Sequence, residues 1–239
     1  MAVAVAGAHP DEQLAARDPG LPGLATALDG ARFAALLEAR APWLGVREAR
    51  ATYVRYKPGT ACVVAYSLTL ADGERQAYVR LERPDSMDKL TKHAQRAGDG
   101  ALLLPGLPAA LYSFPADRRL RALAVLADEP ARRRLLARAV PGRPDLWDAT
   151  VTPVRWKPER RFVGVLQGPD GPRALLKAYS SDFARASRAA KALGGREGPR
   201  TALRLGRSRG ARVVALEWLP GVTLRELLAG AAGQDAALA

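Results

Sequence analysis

The side chains most able to do chemistry gather in VRWKPERRFVGVL at 154–166 and RALLKAY at 173–179. The first stretch sets Lys157, Arg160 and Arg161 in a short turn before an apolar strand. The second carries Lys177 alone in an apolar run. By period-two alternation Leu175, Lys177 and Tyr179 share one face of that strand, and Leu176 and Ala178 the other. A lysine at the centre of a short apolar strand is costly to desolvate unless it meets an anion. The pattern therefore points to anion binding. The competing reading is a set of solvated loop arginines and a lysine whose head snorkels to water.

The elements around these residues are written twice. VRYKPGTACVVAY at 54–66 shares the opening V-R-[YW]-K-P with 154–166. In the first copy ACVVAYSLTL reads as a strand, ADG at 71–73 as a hairpin turn and RQAYVRL as the returning strand. DSMDKLTKHAQRAG reads as a helix ending at Gly98. PAALYSF and RLRALAVL read as two further strands, and EPARRRLLARAV as a helix opened by Pro130. The second copy repeats this order: FVGVLQ, a turn at Asp170-Gly171, RALLKAY, the helix SSDFARASRAAKALGG, the strands LRLGR and ARVVALEWL, and the helix VTLRELLAGAAG. Arg55 and Arg155 lie 100 apart, Arg80 and Lys177 97 apart, and Leu135-Leu136 and Leu227-Leu228 92 apart. Shrinking loops in a tandem duplication give that series. Arg80 stands where the second copy has Lys177.

Ahead of the copies, residues 1–21 read as a loose arm, and ALDGARFAALLEARAPWL (27–44) as a helix capped by Asp29. The expected division is an arm and helix (1–48), a degenerate lobe-like cap unit (49–145), a second lobe (146–230) and a loose tail (231–239).

Bulk properties exclude several classes. A single cysteine, Cys62, and two histidines, His9 and His93, leave no internal disulfide and no zinc set. No apolar run approaches the ~20 residues of a membrane span, and the N-terminus lacks the basic start of a signal peptide. A cytoplasmic protein without membrane contact is expected. The formal charge of +13 and pI near 10.6 suit a polyanion partner. The charges are dispersed, however, without a basic tail or a ribonucleoprotein motif, and arginine-rich composition accompanies GC-rich coding, so nucleic acid is not the expected partner.

The order of elements, with a lysine on the third strand and ALEWLPGVTLRELL at 215–228, resembles the small lobe of the aminoglycoside phosphotransferase and choline kinase family, which has a protein-kinase-like fold. The resemblance covers about 150–228, with 50–136 as its degenerate copy. It implies an α+β fold: a kinase-like small lobe of antiparallel sheet and packed helices, preceded by a duplicate lobe acting as a cap. ATP and Mg²⁺ are the implied cofactors. Lys177 would hold the ATP phosphates, and the loop from Lys157 to Arg160 and Arg161 would cover them through side-chain charge. Glu217, Trp218 and Leu219 would form the hinge that meets adenine, with Val163 and Leu176 sandwiching the base. The reaction implied is transfer of the γ-phosphate to a hydroxyl of an aminoglycoside-like or other small acceptor.

Three departures qualify this. The helix after Lys177 offers only Asp182 as an orienting acid. The residues after Gly221 contain no histidine and no asparagine, so no H-x-D-x-x-x-x-N motif and no Mg²⁺ ligands follow. The first copy has arginine at the lysine position. The expectation is a chain lacking the large lobe and inactive alone, with a C-terminal lobe supplied in trans as its implied partner. The alternatives are a non-catalytic nucleotide- or protein-binding pseudokinase-like module and, third, a basic nucleic-acid binder.

Overall fold

The structure, a computed structural model, describes residues 9–194, 200–222 and 227. Helices α1 (Pro10–Ala16), α2 (Leu24–Leu28) and α3 (Gly30–Arg40) lead into strands β1 (Glu48–Lys57), β2 (Ala61–Leu70) and β3 (Gly73–Glu82). Helix α4 (Met87–Ala97) and strands β4 (Ala101–Leu103) and β5 (Ala109–Ser113) complete the first half. Then follow α5 (Ala122–Ala127), α6 (Glu129–Ala139), β6 (Thr150–Lys157), β7 (Arg161–Gly168), β8 (Gly171–Tyr179), α7 (Phe183–Leu193), β9 (Arg204–Ser208) and β10 (Val213–Glu217). The fold is α+β. Its two five-stranded antiparallel sheets have one topology, β1-β2-β3-β5-β4 and β6-β7-β8-β10-β9.

The two sheets agree in register. Arg55 pairs with Val63 and Arg155 with Val163; Lys57 pairs with Ala61 and Lys157 with Arg161. Arg80 lies between Val63 and Ala110, as Lys177 lies between Val163 and Val214. The hairpins foreseen at Asp72-Gly73 and Asp170-Gly171 form, with each glycine at positive φ (129° and 111°). The correspondence also extends ahead of each sheet. Asp29 caps α3 by accepting from the Ala31 and Arg32 amides, and Asp128 caps α6 by accepting from that of Ala131. Helices α2 and α3 thus precede the first sheet as α5 and α6 precede the second. Leu135 and Leu136 belong to α6, a counterpart of α3; of the pair matched to them by sequence, Leu227 is helical and Leu228 lies outside the described residues.

Equivalent faces are covered by equivalent helices. Cys62, Val64 and Tyr66 of β2 pack with Leu24, Phe33 and Leu37 of α2 and α3. Phe33 stacks on Tyr66 at 4.3 Å, and the Tyr66 hydroxyl donates to the Ala27 carbonyl. The counterparts Phe162 and Leu166 pack with Leu123, Leu126 and Leu136 of α5 and α6. The opposite face of the first sheet, with Val63, Tyr78 and Tyr112, joins the same core as Trp156 and Phe162, so the two halves share buried apolar area. Burial pushes the Cys62 thiol up to about 11, which leaves it a small apolar side chain in this core.

Two expectations from sequence fail. Residues 10–16 form a helix, and Asp18 and Leu21 are buried, so the described part of the expected loose arm is ordered. RLRALAVL is not a strand: it contains α5, because Ala and Leu are strong helix formers and Asp128 caps the helix that follows. The missing strand is the three-residue β4. The helix read at 222–233 falls, apart from Val222 and Leu227, outside the described residues.

One buried polar atom is left over. The Tyr112 hydroxyl has no hydrogen-bond partner among the described residues, although the side chain is fully buried and its ring stacks on Tyr78 at 4.8 Å. Removing an unsatisfied hydroxyl while keeping the ring relieves a desolvation cost of about 1 kcal/mol. Tyr112→Phe is expected to raise the melting temperature by roughly 2–4 °C. A lower melting temperature on calorimetry would show that the hydroxyl has a partner.

Candidate anion-binding site

The site is built around the turn between β6 and β7. In the first half that turn runs Lys57-Pro58-Gly59-Thr60, and in the second Lys157-Pro158-Glu159-Arg160. Both are closed by the same bond, from the Thr60 amide to the Lys57 carbonyl (3.1 Å) and from the Arg160 amide to that of Lys157 (3.0 Å). Both put the third residue in the left-handed region, Gly59 at φ 61° and Glu159 at φ 59°. Glycine adopts this conformation freely, whereas a glutamate carries a cost of about 1 kcal/mol.

An aspartate holds each turn, the buried Asp18 in the first half and the half-buried Asp117 in the second. Asp18 accepts from the Gly59 amide and the Tyr56 hydroxyl, both at 2.8 Å. Asp117 accepts from the Glu159 amide at 2.9 Å and Trp156 Nε1 at 3.0 Å. It also accepts from the Arg119 and Leu120 amides at 2.8 and 2.9 Å. Burial pushes the Asp117 carboxyl upward, against the pull of those four donors. The Gly59 amide, followed by the Tyr56 hydroxyl, holds Asp18 below the usual carboxylate range.

The turn sends its side chains in two directions. Glu159 points into the first half and is 1% exposed. Its Oε2 accepts from Arg55 Nη2 (2.6 Å) and Arg80 Nη1 (2.9 Å), and its Oε1 from Arg118 Nε (2.8 Å). Arg80 also grips Glu82, at 2.6 Å from Nη2 and 2.7 Å from Nε. Burial raises the Glu159 carboxyl, but Arg80, Arg118 and Arg55 together outweigh it and hold the group below the usual carboxylate range.

Lys157, Arg160 and Arg161 point the other way, into a cavity of about 620 Å³. Tyr53, Tyr179, Ser181, Asp182 and Arg185 complete most of its wall. Lys157 Nζ lies 5.4 Å from the Tyr53 ring centroid, a cation–π contact between the halves. Burial, then the charges of Arg155, Arg161 and Arg160, lowers the Lys157 ammonium. Four cations thus face one carboxylate.

Lys177 is one pleat further along the face that carries Arg161 and Tyr179, beside Val163 and Val214. It is half-buried, and no carboxylate pairs with it among the described residues. Burial, reinforced by Arg161, lowers its ammonium. Sequence alternation placed Leu175, Lys177 and Tyr179 together correctly. Leu176 turns to the opposite face, opposite Gly164, and is fully buried in the core, so it cannot oppose Val163 across a ligand.

Glu217, Trp218 and Leu219 lie at the other end of the sheet. Glu217 pairs with Ala174, three residues from Lys177 and so about 10 Å along β8. Its carboxylate accepts from Arg200 Nη2 at 2.7 Å and the Leu203 amide at 3.2 Å, and the latter is the larger cause of its lowered pKa. Trp218 and Leu219 continue past the last pair of the ladder.

A larger cavity of about 840 Å³ adjoins the first through Tyr179 and is lined by Arg118, Arg119, Arg121, Arg138 and Arg212. Among the described residues three non-glycines have left-handed backbone, Glu159, Asp182 and Arg212; Asp182 and Arg212 line these cavities, and Glu159 lies in the adjoining turn with its side chain directed into the first half. Such conformations concentrate where the fold over-determines a functional geometry. Sequence reading missed Arg55, Arg118, Asp117, Tyr53 and Arg185. The available signal was a glutamate at a position where the first copy carries glycine.

Comparisons with protein-family models, with curated proteins and with solved structures return no match for this chain. The fold and site define a class: an α+β protein of two sheets with one topology, joined by a buried carboxylate–arginine cluster and bearing a cationic cleft. Among the described residues no helix is long and apolar enough to cross a membrane, and no group of three or more His, Cys, Asp or Glu side chains is placed to hold a metal ion.

Proposed function

We propose that the second half is the nucleotide-binding small lobe of an ATP-dependent small-molecule phosphotransferase, with the first half as its cap. The observation that carries this reading is Lys177, half-buried on the outer face with no carboxylate paired to it among the described residues, and the exposed Arg161 one pleat away on the same face. Two such cations are stable together when an anion completes them. In the first half Arg80, at the same register, has two carboxylates instead. The order β6-β7-β8-α7-β9-β10 with its cation on the third strand supports the likeness to a kinase-like lobe.

The residues fit the phosphate end of ATP: Lys177 and the loop of Lys157, Arg160 and Arg161 offer donors on one side of the sheet. Val163 and the backbone of Glu217, Trp218 and Leu219 remain the proposed base and hinge contacts. Mg²⁺ is assigned no ligand, and no transfer step is derived from the described residues. Acceptor hydroxyl and catalytic acids would come from a C-terminal lobe.

Lys177→Met tests this in two readouts that move in opposite directions. Removing a half-buried, unpaired ammonium is expected to stabilise the fold by up to about 1 kcal/mol, discounted for its remaining exposure. The same change is expected to weaken ATP binding at least about tenfold by calorimetry. Unchanged ATP affinity would remove Lys177 from the site and the reading with it.

A second reading is favoured by the adjoining arginine-lined cavity: a binder of extended polyanions, nucleic acid included. It predicts affinity for single-stranded RNA that falls steeply with salt and is indifferent to ATP. The non-catalytic nucleotide-binding module shares the first test and differs only in showing no turnover with any added C-terminal lobe.

A further inference from the structure

The first half keeps the frame of an anion site but is closed to solvent. Arg80 occupies the register position of Lys177, and Arg55 and Arg118 converge on the same point. What fills that point is a carboxylate from the other half. Glu159 reaches it only by holding a left-handed backbone at the position where the matching turn has Gly59. A solvated turn glutamate would gain nothing from that conformation, and its three arginine contacts account for it.

We propose that Arg55, Arg80 and Arg118 form a second oxyanion site, of the class that takes a carboxylate or a phosphate group, and that Glu159 fills it permanently from within the chain. The first half then takes no external ligand. Its anion site is a clasp that joins the halves and pins the 157–161 loop. Because Glu159 points inward, its neighbours Lys157, Arg160 and Arg161 are turned outward into the cleft. The clasp does not depend on the nucleotide reading: ATP can fail to bind at Lys177 while the clasp holds, and the reverse.

Glu159→Gly tests it, because glycine relieves the backbone cost and deletes only the internal anion. The full chain and the variant are melted in sodium propionate, which is the deleted side chain as a free anion, in sodium phosphate, and in sodium chloride at equal ionic strength. Variant and parent carry the same cationic cleft, so the difference between them in each salt reports on the clasp. The expected result is a fall in melting temperature of roughly 10 °C on deletion. Propionate or phosphate, but not chloride, then recovers at least half of that difference from the parent in the same salt. Equal response of variant and parent to all three salts overturns the proposal, as does a variant as stable as its parent. Should Glu159→Gly not fold, Glu159→Gln keeps the shape and removes the charge: a melting temperature within 1–2 °C of the parent, roughly the scale of an exposed-site change, would overturn the clasp.

Discussion

Asp117→Ala is expected to cost about 3–5 kcal/mol and to lower the melting temperature by roughly 10 °C or more. One carboxylate accepts four hydrogen bonds: Oδ1 from the Arg119 and Leu120 amides, and Oδ2 from the Glu159 amide and Trp156 Nε1. Alanine leaves three part-buried donors and the exposed Arg119 amide without an acceptor at the junction of the halves, and a buried donor left unsatisfied costs about 1–3 kcal/mol before relaxation and water entry reduce the sum. The conservative variant sharpens the test. Because each oxygen accepts two donors, an asparagine amide in either orientation sets its NH₂ against two N–H groups. Asp117→Asn is therefore expected to lose most of what alanine loses. Urea unfolding followed by Trp156 fluorescence measures both. An asparagine variant within about 1 kcal/mol of wild type would show that neither the charge nor the four-donor acceptor geometry of Asp117 holds the turn.

The same aspartate separates what the sequence discloses from what it hides. Hairpins at Asp72-Gly73 and Asp170-Gly171 are legible because glycine and the flanking β-branched residues act locally. The duplication is legible because V-R-[YW]-K-P sits in a turn whose geometry both halves keep. The face shared by Leu175, Lys177 and Tyr179 follows from the pleat alone. The base contact that the family resemblance implied for Leu176 conflicts with the pleat, which sets Leu176 on the face opposite Lys177, and that face is the buried one. Asp117 and Glu159 could not be placed by any local rule. In sequence they are a loop acid before two arginines and a turn acid between a proline and two arginines, and such residues are ordinarily solvated. Only the docking of one half on the other buries Glu159 and partly covers Asp117. The strand β4 was missed because three residues carry no period, and α5 was misread because an alanine–leucine run fits a strand or a helix until Asp128 is seen to cap the next turn.

The spatial logic of the molecule follows from that docking. The first sheet has both faces covered, one by α2 and α3 and the other by α4 and the second half's Trp156 turn. The second sheet has α5 and α6 on the equivalent inner face, but Val163, Leu175, Lys177 and Tyr179 on its outer face stay only half-buried. Of two sheets with one topology, the first is covered on both faces and the second keeps a partly open outer face.

Arg80→Met is the largest single loss expected from the clasp. Arg80 hydrogen-bonds both buried acids, binding Glu82 through Nε and Nη2 and Glu159 through Nη1, whereas Arg118 hydrogen-bonds Glu159 and approaches Glu82 only at 3.9 Å. Methionine keeps much of the volume but leaves Glu159 to Arg55 and Arg118, and leaves Glu82 with Arg118 at 3.9 Å. Breaking a buried ion cluster by removing one partner costs about 3–5 kcal/mol. Lysine does not substitute, because a point charge cannot serve two carboxylates through a planar fork. The pH dependence carries the sign of the effect. In the wild type Glu159 is held below its unfolded pKa, so its stabilisation is full above about pH 4.3 and is lost as pH falls through the lower folded value. Without Arg80 the burial that raises this carboxyl has less to oppose it, and the folded pKa climbs toward and past the unfolded one. The acid-unfolding midpoint, followed by circular dichroism from pH 7 to 2, is expected to move to higher pH in Arg80→Met and Arg80→Lys alike. A midpoint that stays at the wild-type pH in Arg80→Lys would show that any cation at this register satisfies Glu159, and that the fork is not what the first half selects.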